Sequence, residues 1–250
     1  MTTLKGKTAV VIGGSSGVGK ATVQALTSEG ATVTVVARDA EKLRALKAEV
    51  GDAVTTLQGD ATEPAFVESL LRQLRPDLVV LAAGIMPPMG RLDELDWESF
   101  SKTWNVDTKA SFVLLKQALT LPLRPGSTVI LVSSGAAIGG SPLSGGYAGA
   151  KRMQWFLAGY AQKVSDAKKL GIRVLAVLPK QLIEGTIIGR RAAEGYAAMS
   201  GTTAEAYMKR WEVPLDVNKV AGAIVSGLKG EVAPEVNAIA VTGAGTEVLT

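Results

Sequence analysis

The side chains best suited to chemistry in this sequence are a tyrosine and a lysine, Tyr147 and Lys151, in the stretch 144-SGGYAGAKRMQW-155. Residues four apart on a helix project from one face, so the phenol and the ammonium are expected to lie together. A nearby ammonium stabilises a phenolate, which lets a tyrosine exchange a proton with an alcohol or carbonyl oxygen. Because the chain has no histidine and no cysteine, this pair is the strongest candidate for general acid/base catalysis.

The composition excludes several other kinds of chemistry. Without cysteine or histidine there is no disulfide, no thiol nucleophile, no Ser-His-Asp triad and no zinc site with nitrogen or sulfur ligands. The net charge of +4 comes from 27 basic and 23 acidic residues scattered along the chain, so nucleic-acid binding is not predicted. The absence of a long apolar run and of a signal-peptide core predicts a cytoplasmic protein that does not enter a membrane.

A glycine-rich stretch, 12-IGGSSGVGKAT-22, follows the first apolar run and has two interpretations. Counted from Gly14, it approaches the G-x-x-x-x-G-K loop of nucleoside triphosphatases, but Ala21 stands where that loop needs a magnesium-binding hydroxyl. Counted from Gly13, it is a dinucleotide loop, whose glycines allow a tight turn and a close approach to a pyrophosphate. A triphosphatase would also need a strand that ends in aspartate, whereas 77-DLVVLAAG-84 begins with one.

The elements that must position these residues follow from an alternating pattern. Continuous apolar runs rich in β-branched residues are typical of strands covered on both faces, and between them lie segments with helical spacing. Such alternation predicts right-handed crossovers and an α/β, doubly wound Rossmann fold with a seven-stranded parallel sheet, in a single domain over 1–250. The predicted strands lie in 7–13, 31–37, 53–59, 77–84, 127–134, 172–179 and 237–243, and the helices in 17–30, 40–50, 64–75, 96–121, 145–170 and 216–228.

One segment, 180–214, has no strand pattern. It carries four glycines together with Tyr196, Met199 and Tyr207, a composition that suits a mobile cover over a substrate site. An irregular pair of surface helices is the alternative interpretation of the same composition.

The turn after the second strand bears on the type of dinucleotide. An acid at this point would bind the 2′-hydroxyl of the adenosine ribose, whereas an arginine would bind a 2′-phosphate. Arg38 is the first residue of the turn and suits bidentate phosphate contact. Asp39 is either a ribose acid or, more simply, the N-cap of the next helix. The sequence therefore favours NADP(H) over NAD(H).

Taken together, these motifs resemble the classical short-chain dehydrogenase/reductase (SDR) family over essentially the whole chain. The family's T-G-x-x-x-G-x-G appears as 12-IGGSSGVG-19, with Ile12 in place of threonine, and its Y-x-x-x-K is intact. The resemblance implies hydride transfer between a nicotinamide and the carbonyl or secondary alcohol group of a small molecule. It also implies a homo-oligomer, a dimer or a tetramer, formed through the long helices 96–121 and 145–170.

The resemblance assigns roles to individual residues. Tyr147 would exchange the proton, Ser134 would position the substrate oxygen, and Lys151 would lower the pKa of the tyrosine and hold the nicotinamide ribose. Asn105, in 104-WNVDTKASF-112, would anchor a water that links Lys151 to solvent. The cofactor contacts implied are Gly13, Ser15, Ser16, Gly17, Val18, Gly19, Arg38, Asp60, Ala61, Ala83, Gly84, Tyr147, Lys151, Pro179 and Thr186.

Two departures from the family pattern support a second hypothesis. The family's N-N-A-G is 81-LAAG-84 here, and its Pro-Gly after the sixth strand is Pro179-Lys180, which leaves Thr186 as the nearest candidate for a carboxamide contact. A dinucleotide-binding regulator or scaffold without turnover would tolerate such changes. A protein of that kind would have little reason to keep all four of Asn105, Ser134, Tyr147 and Lys151, so their retention favours an enzyme.

Overall fold

The strands and helices of this protein alternate along the chain in a computed structural model that describes residues 3–249. Seven strands coincide with the seven apolar runs, and their side chains are mostly buried because helices cover both faces of the sheet. The strands are β1 (Thr8–Ile12), β2 (Thr32–Ala37), β3 (Val54–Gln58), β4 (Leu78–Leu81), β5 (Thr128–Val132), β6 (Arg173–Pro179), β7 (Ala238–Thr242) and β8 (Gly245–Val248).

The sheet has the order β3-β2-β1-β4-β5-β6-β7-β8, and strands β1 to β7 are all parallel. The doubly wound α/β fold expected from the sequence is therefore confirmed. The direction of winding reverses between β1 and β4, which leaves a crevice outside the carboxyl ends of these two strands. Ligands of open α/β sheets bind at such a crevice, so the topology already indicates where the site lies.

The prediction of seven strands, all parallel, is wrong in one respect. β8 pairs antiparallel with β7 through a hairpin, from Ile239 opposite Val248 to Thr242 opposite Gly245. All four residues of β8 are exposed, and Lys180, which follows β6, forms an ion pair with Glu247 of this edge strand. A short exposed strand that contains glycine and glutamate lacks the apolar run on which the prediction depended.

Helices cover the sheet in two layers, each with its own hydrophobic core. Helices α1, α2 and α10 cover one face, and α3, α5 and α7 cover the other. No helix within residues 3–249 is both long and apolar enough to cross a bilayer. The helices are α1 (Gly17–Ser28), α2 (Ala40–Val50), α3 (Pro64–Leu74), α4 (Trp97–Thr103), α5 (Lys109–Thr120), α6 (Ala136–Gly139), α7 (Gly145–Ala167), α8 (Ile187–Met199), α9 (Ala204–Met208) and α10 (Val217–Leu228).

The helix predicted over 96–121 is interrupted. A π-helical turn, Trp104–Thr108, joins α4 to α5 without a break in the helical backbone. A π turn adds one residue to the winding and so changes which side chains face inward. This local change decides which polar residue of the segment reaches the functional site.

Candidate active site

A cavity of about 940 Å³ lies along the carboxyl ends of the parallel strands. The glycine-rich loop after β1 lines one part of it, and Tyr147 lines another part together with residues of segment 180–214. All fifteen of the residues predicted to contact a cofactor line this one cavity. Its size is sufficient for a dinucleotide beside a small substrate, since ligand pockets commonly measure about 300–1,000 Å³.

The glycine-rich loop has the shape of a phosphate cradle. Gly13 has a φ of +84°, and a Cβ there would collide with the backbone of Ala83 at the end of β4. A Cβ on Gly19 would collide with the carbonyl of Gly13, so α1 can start this close to the turn only with glycine at that position. Ser16 is the N-cap of α1 but makes no side-chain cap hydrogen bond. Backbone N–H groups at this helix start therefore remain available to an anion, which fits a pyrophosphate.

The lysine that made this loop resemble a triphosphatase does not point into the cavity. Lys20 forms an ion pair with Glu49 of α2, 2.5 Å between Nζ and Oε2. It is also absent from the residues that line the cavity. Lys20 therefore lies outside the cavity, and the backbone of the loop is the part that can bind phosphate.

The end of the cavity beside β2, where the sequence predicts the adenosine, contains one arginine and two acids whose carboxylates already accept hydrogen bonds from the backbone. Arg38 is exposed beside the cavity and forms no ion pair with any of residues 3–249. Asp39 is the N-cap of α2: its carboxylate accepts a hydrogen bond from the backbone N–H of Lys42 at 3.1 Å, which lowers the pKa of Asp39. Asp60 accepts from the backbone N–H of Thr62 at 2.9 Å, and this bond likewise lowers the pKa of Asp60.

Tyr147, Lys151 and Ser134 meet at the opposite end. The Lys151 ammonium lies 5.5 Å from the centroid of the Tyr147 ring and donates to the carbonyl of Val132 at 3.3 Å. Of the two serines after β5, Ser133 donates its hydroxyl to the backbone carbonyl of Lys151 at 2.7 Å and is buried. Ser134 is less buried and lines the cavity, where its oxygen accepts from the backbone N–H of Ala136 at 3.2 Å.

The structure does not bring Asn105 to this site, contrary to the expectation. Asn105 is exposed and lines a separate, shallow surface hollow with Phe112. Asp107, two residues later, occupies the place beside Lys151, with 3.1 Å between Oδ2 and Nζ. The π turn and the helix phase explain the difference: Asp107 shares a face with the buried residues Ala110, Ser111 and Leu114. That spacing of three, four and seven residues was the sequence signal that identifies Asp107.

The environment of Lys151 keeps its side chain charged. Burial alone would lower the pKa of Lys151, which is only 6% exposed, because an ammonium loses solvation in the interior. The Asp107 carboxylate, with a smaller contribution from Tyr147, outweighs this effect and raises the pKa of Lys151 above its ordinary value. The site therefore favours the charged form of Lys151 next to the phenol.

Comparison with known proteins agrees with this geometry. The family model described as short chain dehydrogenase matches residues 7–194, which is most of the chain and includes the glycine-rich loop, Tyr147 and Lys151. The protein belongs to the short-chain dehydrogenase family. Its members are oxidoreductases that bind a nicotinamide dinucleotide, so both the family assignment and the coarse function expected from the sequence are confirmed.

Similar proteins illustrate the breadth of the family. The chain is 30% identical to a 2,5-dichloro-2,5-cyclohexadiene-1,4-diol dehydrogenase of Sphingobium indicum, over 72% of this chain and 74% of the relative. It is 28% identical to a hydroxynaphthalene reductase of Aspergillus fumigatus, over 89% and 87% of the two chains. Solved structures of a levodione reductase and of an NAD⁺-bound xylitol dehydrogenase share the fold, with TM-scores of 0.84 and 0.83 at 23% and 20% identity. The first alignment covers 96% of this chain and 98% of the other, and the second covers 96% and 99%.

In this short-chain dehydrogenase, the segment 180–214 forms two helices that line the cavity. The aromatic rings of Tyr196 in α8 and Tyr207 in α9 stack at 5.6 Å, and Tyr207 meets Trp211 edge-on at 6.4 Å. The guanidinium of Arg210 lies 4.0 Å from the Tyr207 ring centroid. The segment is therefore a pair of helices that forms one wall of the cavity, and its role as a mobile cover stays a prediction.

The segment after β6, where the sequence departs from the family's Pro-Gly, also lines this cavity. Thr186 is the N-cap of α8: its hydroxyl accepts from the N–H of Gly189 at 3.0 Å and donates to the carbonyl of Ile183 at 2.9 Å. Pro179 ends β6, and the backbone of Lys180 lies so close to Gly135 that a Cβ on that glycine would be 2.8 Å from the Lys180 Cα. The wall beside Ser134 is therefore tightly packed despite the substitution of lysine for glycine.

Proposed function

We propose that this short-chain dehydrogenase is an NADP(H)-dependent enzyme that interconverts a carbonyl and a secondary alcohol of a small molecule in the cytoplasm, with Tyr147 as the general acid/base. The observation that carries the proposal is the meeting of Tyr147, Ser134 and the buried Lys151 in the same cavity as a phosphate cradle. The altered 81-LAAG-84 suggested a non-catalytic alternative, but no contact of the described residues favours it.

The proposed mechanism assigns a separate task to each side chain. Ser134 hydrogen-bonds the reacting oxygen of the substrate and holds it within reach of the Tyr147 hydroxyl. Tyr147 delivers a proton to that oxygen in reduction and removes it in oxidation, while the charge of Lys151 favours the anionic form of the phenol. A bound nicotinamide supplies the hydride for reduction or accepts it in oxidation.

The proposed preference for NADP(H) is supported by the state of the charged groups near the second strand. Arg38 is exposed at the cavity and has no acidic partner among residues 3–249, so its guanidinium is available to a phosphate. Asp39, the alternative ribose acid, already caps α2. A 2′-phosphate would find a cation at this place, and the Asp39 carboxylate that could accept a bond from a ribose 2′-hydroxyl is already engaged in capping α2.

A substrate screen tests the proposed function directly. Purified protein with NADPH is mixed with apolar and aromatic ketones, each tested with and without a carboxylate, because aromatic rings and Arg210 line the substrate side. Loss of absorbance at the reduced-nicotinamide band is the expected result for at least one class of ketone. Dinucleotide binding without oxidation of NADPH by any ketone, and without reduction of NADP⁺ by the corresponding alcohols, would favour the regulator instead.

We further propose that the protein forms a dimer or a tetramer through the outer faces of α5 and α7. Large side chains are exposed on these faces: Phe112 is 52% exposed, Phe156 41% and Tyr160 55%. Met153 and Phe112 also line the shallow hollow that contains Asn105. Exposed aromatic clusters of this kind are typical of surfaces that another protein chain covers.

Phe112→Asp is expected to reduce the molar mass of the assembly, because a charge placed in an apolar interface loses its hydration without gaining a partner. Light scattering coupled to gel filtration measures the mass of the native protein and the variant. Leu92→Asp, at a residue 81% exposed and outside these helices, is the matched control and should keep the native mass. A monomeric native protein would overturn the proposal.

A further inference from the structure

The buried carboxylate of Asp107 lies next to Lys151, whereas the family resemblance implies that the amide of Asn105 serves this region. Asp107 is 1% exposed, and its Oδ2 lies 3.1 Å from the Lys151 Nζ. Its Oδ1 accepts a hydrogen bond from the backbone N–H of Ile85 at 3.1 Å. A Cβ on Gly84 would lie only 2.8 Å from Oδ2, so the carboxylate is closely fitted against the chain that follows β4.

The pair differs from an amide and a lysine in one physical respect, its charge. A buried carboxylate attracts the ammonium strongly because little solvent screens the two charges. Asp107 therefore holds the buried Lys151 in its charged form against the cost of burial. An asparagine at position 107 would keep a polar group of the same size without this effect on Lys151.

Among the described residues, Asp107 and Tyr147 are the two ionisable groups that change the pKa of Lys151. The elements packed around the pair contribute the backbone at Gly84 and Ile85, the carbonyl of Val132 and the Ser133 hydroxyl. The amide of Gln154 contacts the backbone carbonyl of Asp107 at 3.2 Å and carries no charge.

We propose that Asp107 is a positioning residue that fixes the Lys151 ammonium and sets the pH range in which Tyr147 exchanges its proton. The proposal rests on the function of Tyr147 proposed above and deepens it. Loss of the negative charge at position 107 leaves burial to lower the pKa of Lys151, so the ammonium releases its proton at lower pH and no longer stabilises the phenolate. The phenolate then forms at higher pH, and alcohol oxidation, which needs the phenolate, begins at higher pH as well.

An optical titration tests this without requiring turnover. The phenolate absorbance of Tyr147 is isolated by subtracting the titration of a Tyr147→Phe variant, made once in the native background and once with Asp107→Asn. We expect Asp107→Asn to move the midpoint of the Tyr147 signal to higher pH by about half a unit or more. Glu98→Gln makes the same change of charge at an exposed position in α4 and is expected to leave the midpoint unchanged.

The pH dependence of alcohol oxidation is the second readout. Its rising limb should shift to higher pH in Asp107→Asn, whereas a merely structural role would lower the rate at every pH and leave the limb in place. An unmoved optical midpoint in a folded variant would overturn the proposal for Asp107. An optical shift in a protein that turns over no substrate would instead support the role of Asp107 and count against the proposed function.

A bound ligand keeps the test decisive if Asp107→Asn alone does not fold. Removal of one member of a buried ion pair leaves the other unpaired, which can cost about 3–5 kcal/mol. The titrations are then repeated with NADP⁺ in excess, since a ligand at 100 times its dissociation constant stabilises the folded state by about 2.7 kcal/mol. The Tyr147 midpoint should again lie at higher pH in Asp107→Asn, and coincident midpoints would contradict the proposal.

Discussion

Replacing Tyr147 with phenylalanine is expected to lower kcat at least about 10³-fold, close to 4 kcal/mol of transition-state stabilisation. The variant keeps the aromatic ring and loses only the hydroxyl that exchanges the proton. Dinucleotide binding should change little, because the phosphate cradle at Gly13 and the adenosine end lie apart from this hydroxyl in the cavity. Steady-state NADPH oxidation gives kcat, and quenching of protein fluorescence gives the dissociation constant.

A second tyrosine in the same helix is the matched control for this prediction. Tyr160 in α7 is 55% exposed and stacks on Phe156, away from the cavity. Tyr160→Phe makes the same chemical change in the same helix and should keep the native kcat. If Tyr147→Phe turned over substrate at the native rate, Tyr147 would not be the general acid/base.

The second large effect is expected at Arg38. Arg38→Ala should reduce kcat/KM for NADPH by about 10- to 100-fold, since hydrogen bonds to a charged group contribute about 1.5–3 kcal/mol. The value for NADH should change little, because NADH has no 2′-phosphate for the guanidinium to bind. Steady-state kinetics with both dinucleotides at a saturating concentration of one ketone measures the ratio.

Arg44→Ala provides the comparison for Arg38. Arg44 lies in the next helix, where it forms an ion pair with Glu41 and does not line the cavity. Its removal subtracts the same charge from the protein and should leave both values unchanged. Equal use of NADPH and NADH by the native protein would contradict the role assigned to Arg38.

The fold could be predicted from the sequence because its strands are buried on both faces. Continuous runs such as 127–134 and 172–179 are too short for helices and too apolar for loops, and the intervening segments have helical spacing. β8 could not be predicted in the same way. Its residues Gly245 to Val248 are exposed, and their pairing depends on the free edge of β7, which is a tertiary property.

The candidate site also contains residues that the local sequence predicts and a residue whose position depends on tertiary structure. Tyr147 and Lys151 could be placed on one face because their relation depends only on the spacing within a regular helix. Asp107 rather than the expected Asn105 reaches Lys151 because of a π turn and because of the face of α5 that packs inward. Asp107 shares helical spacing with the buried Ala110 and Leu114, whereas the match to the family motif pointed to Asn105.

The short stretch 81–84 has a consequence for the distances within the enzyme. The turn at Gly13 rests against Ala83, and the Asp107 carboxylate rests against the neighbouring Gly84. Two adjacent residues thus position both parts of the site. Ala83 supports the glycine-rich loop, and Gly84 supports Asp107, which in turn holds Lys151. A displacement of this stretch by a fraction of an ångström would therefore move the glycine-rich loop and Lys151 together. The distance between the phosphate-binding loop and the residues around Tyr147 thus depends on a single piece of backbone.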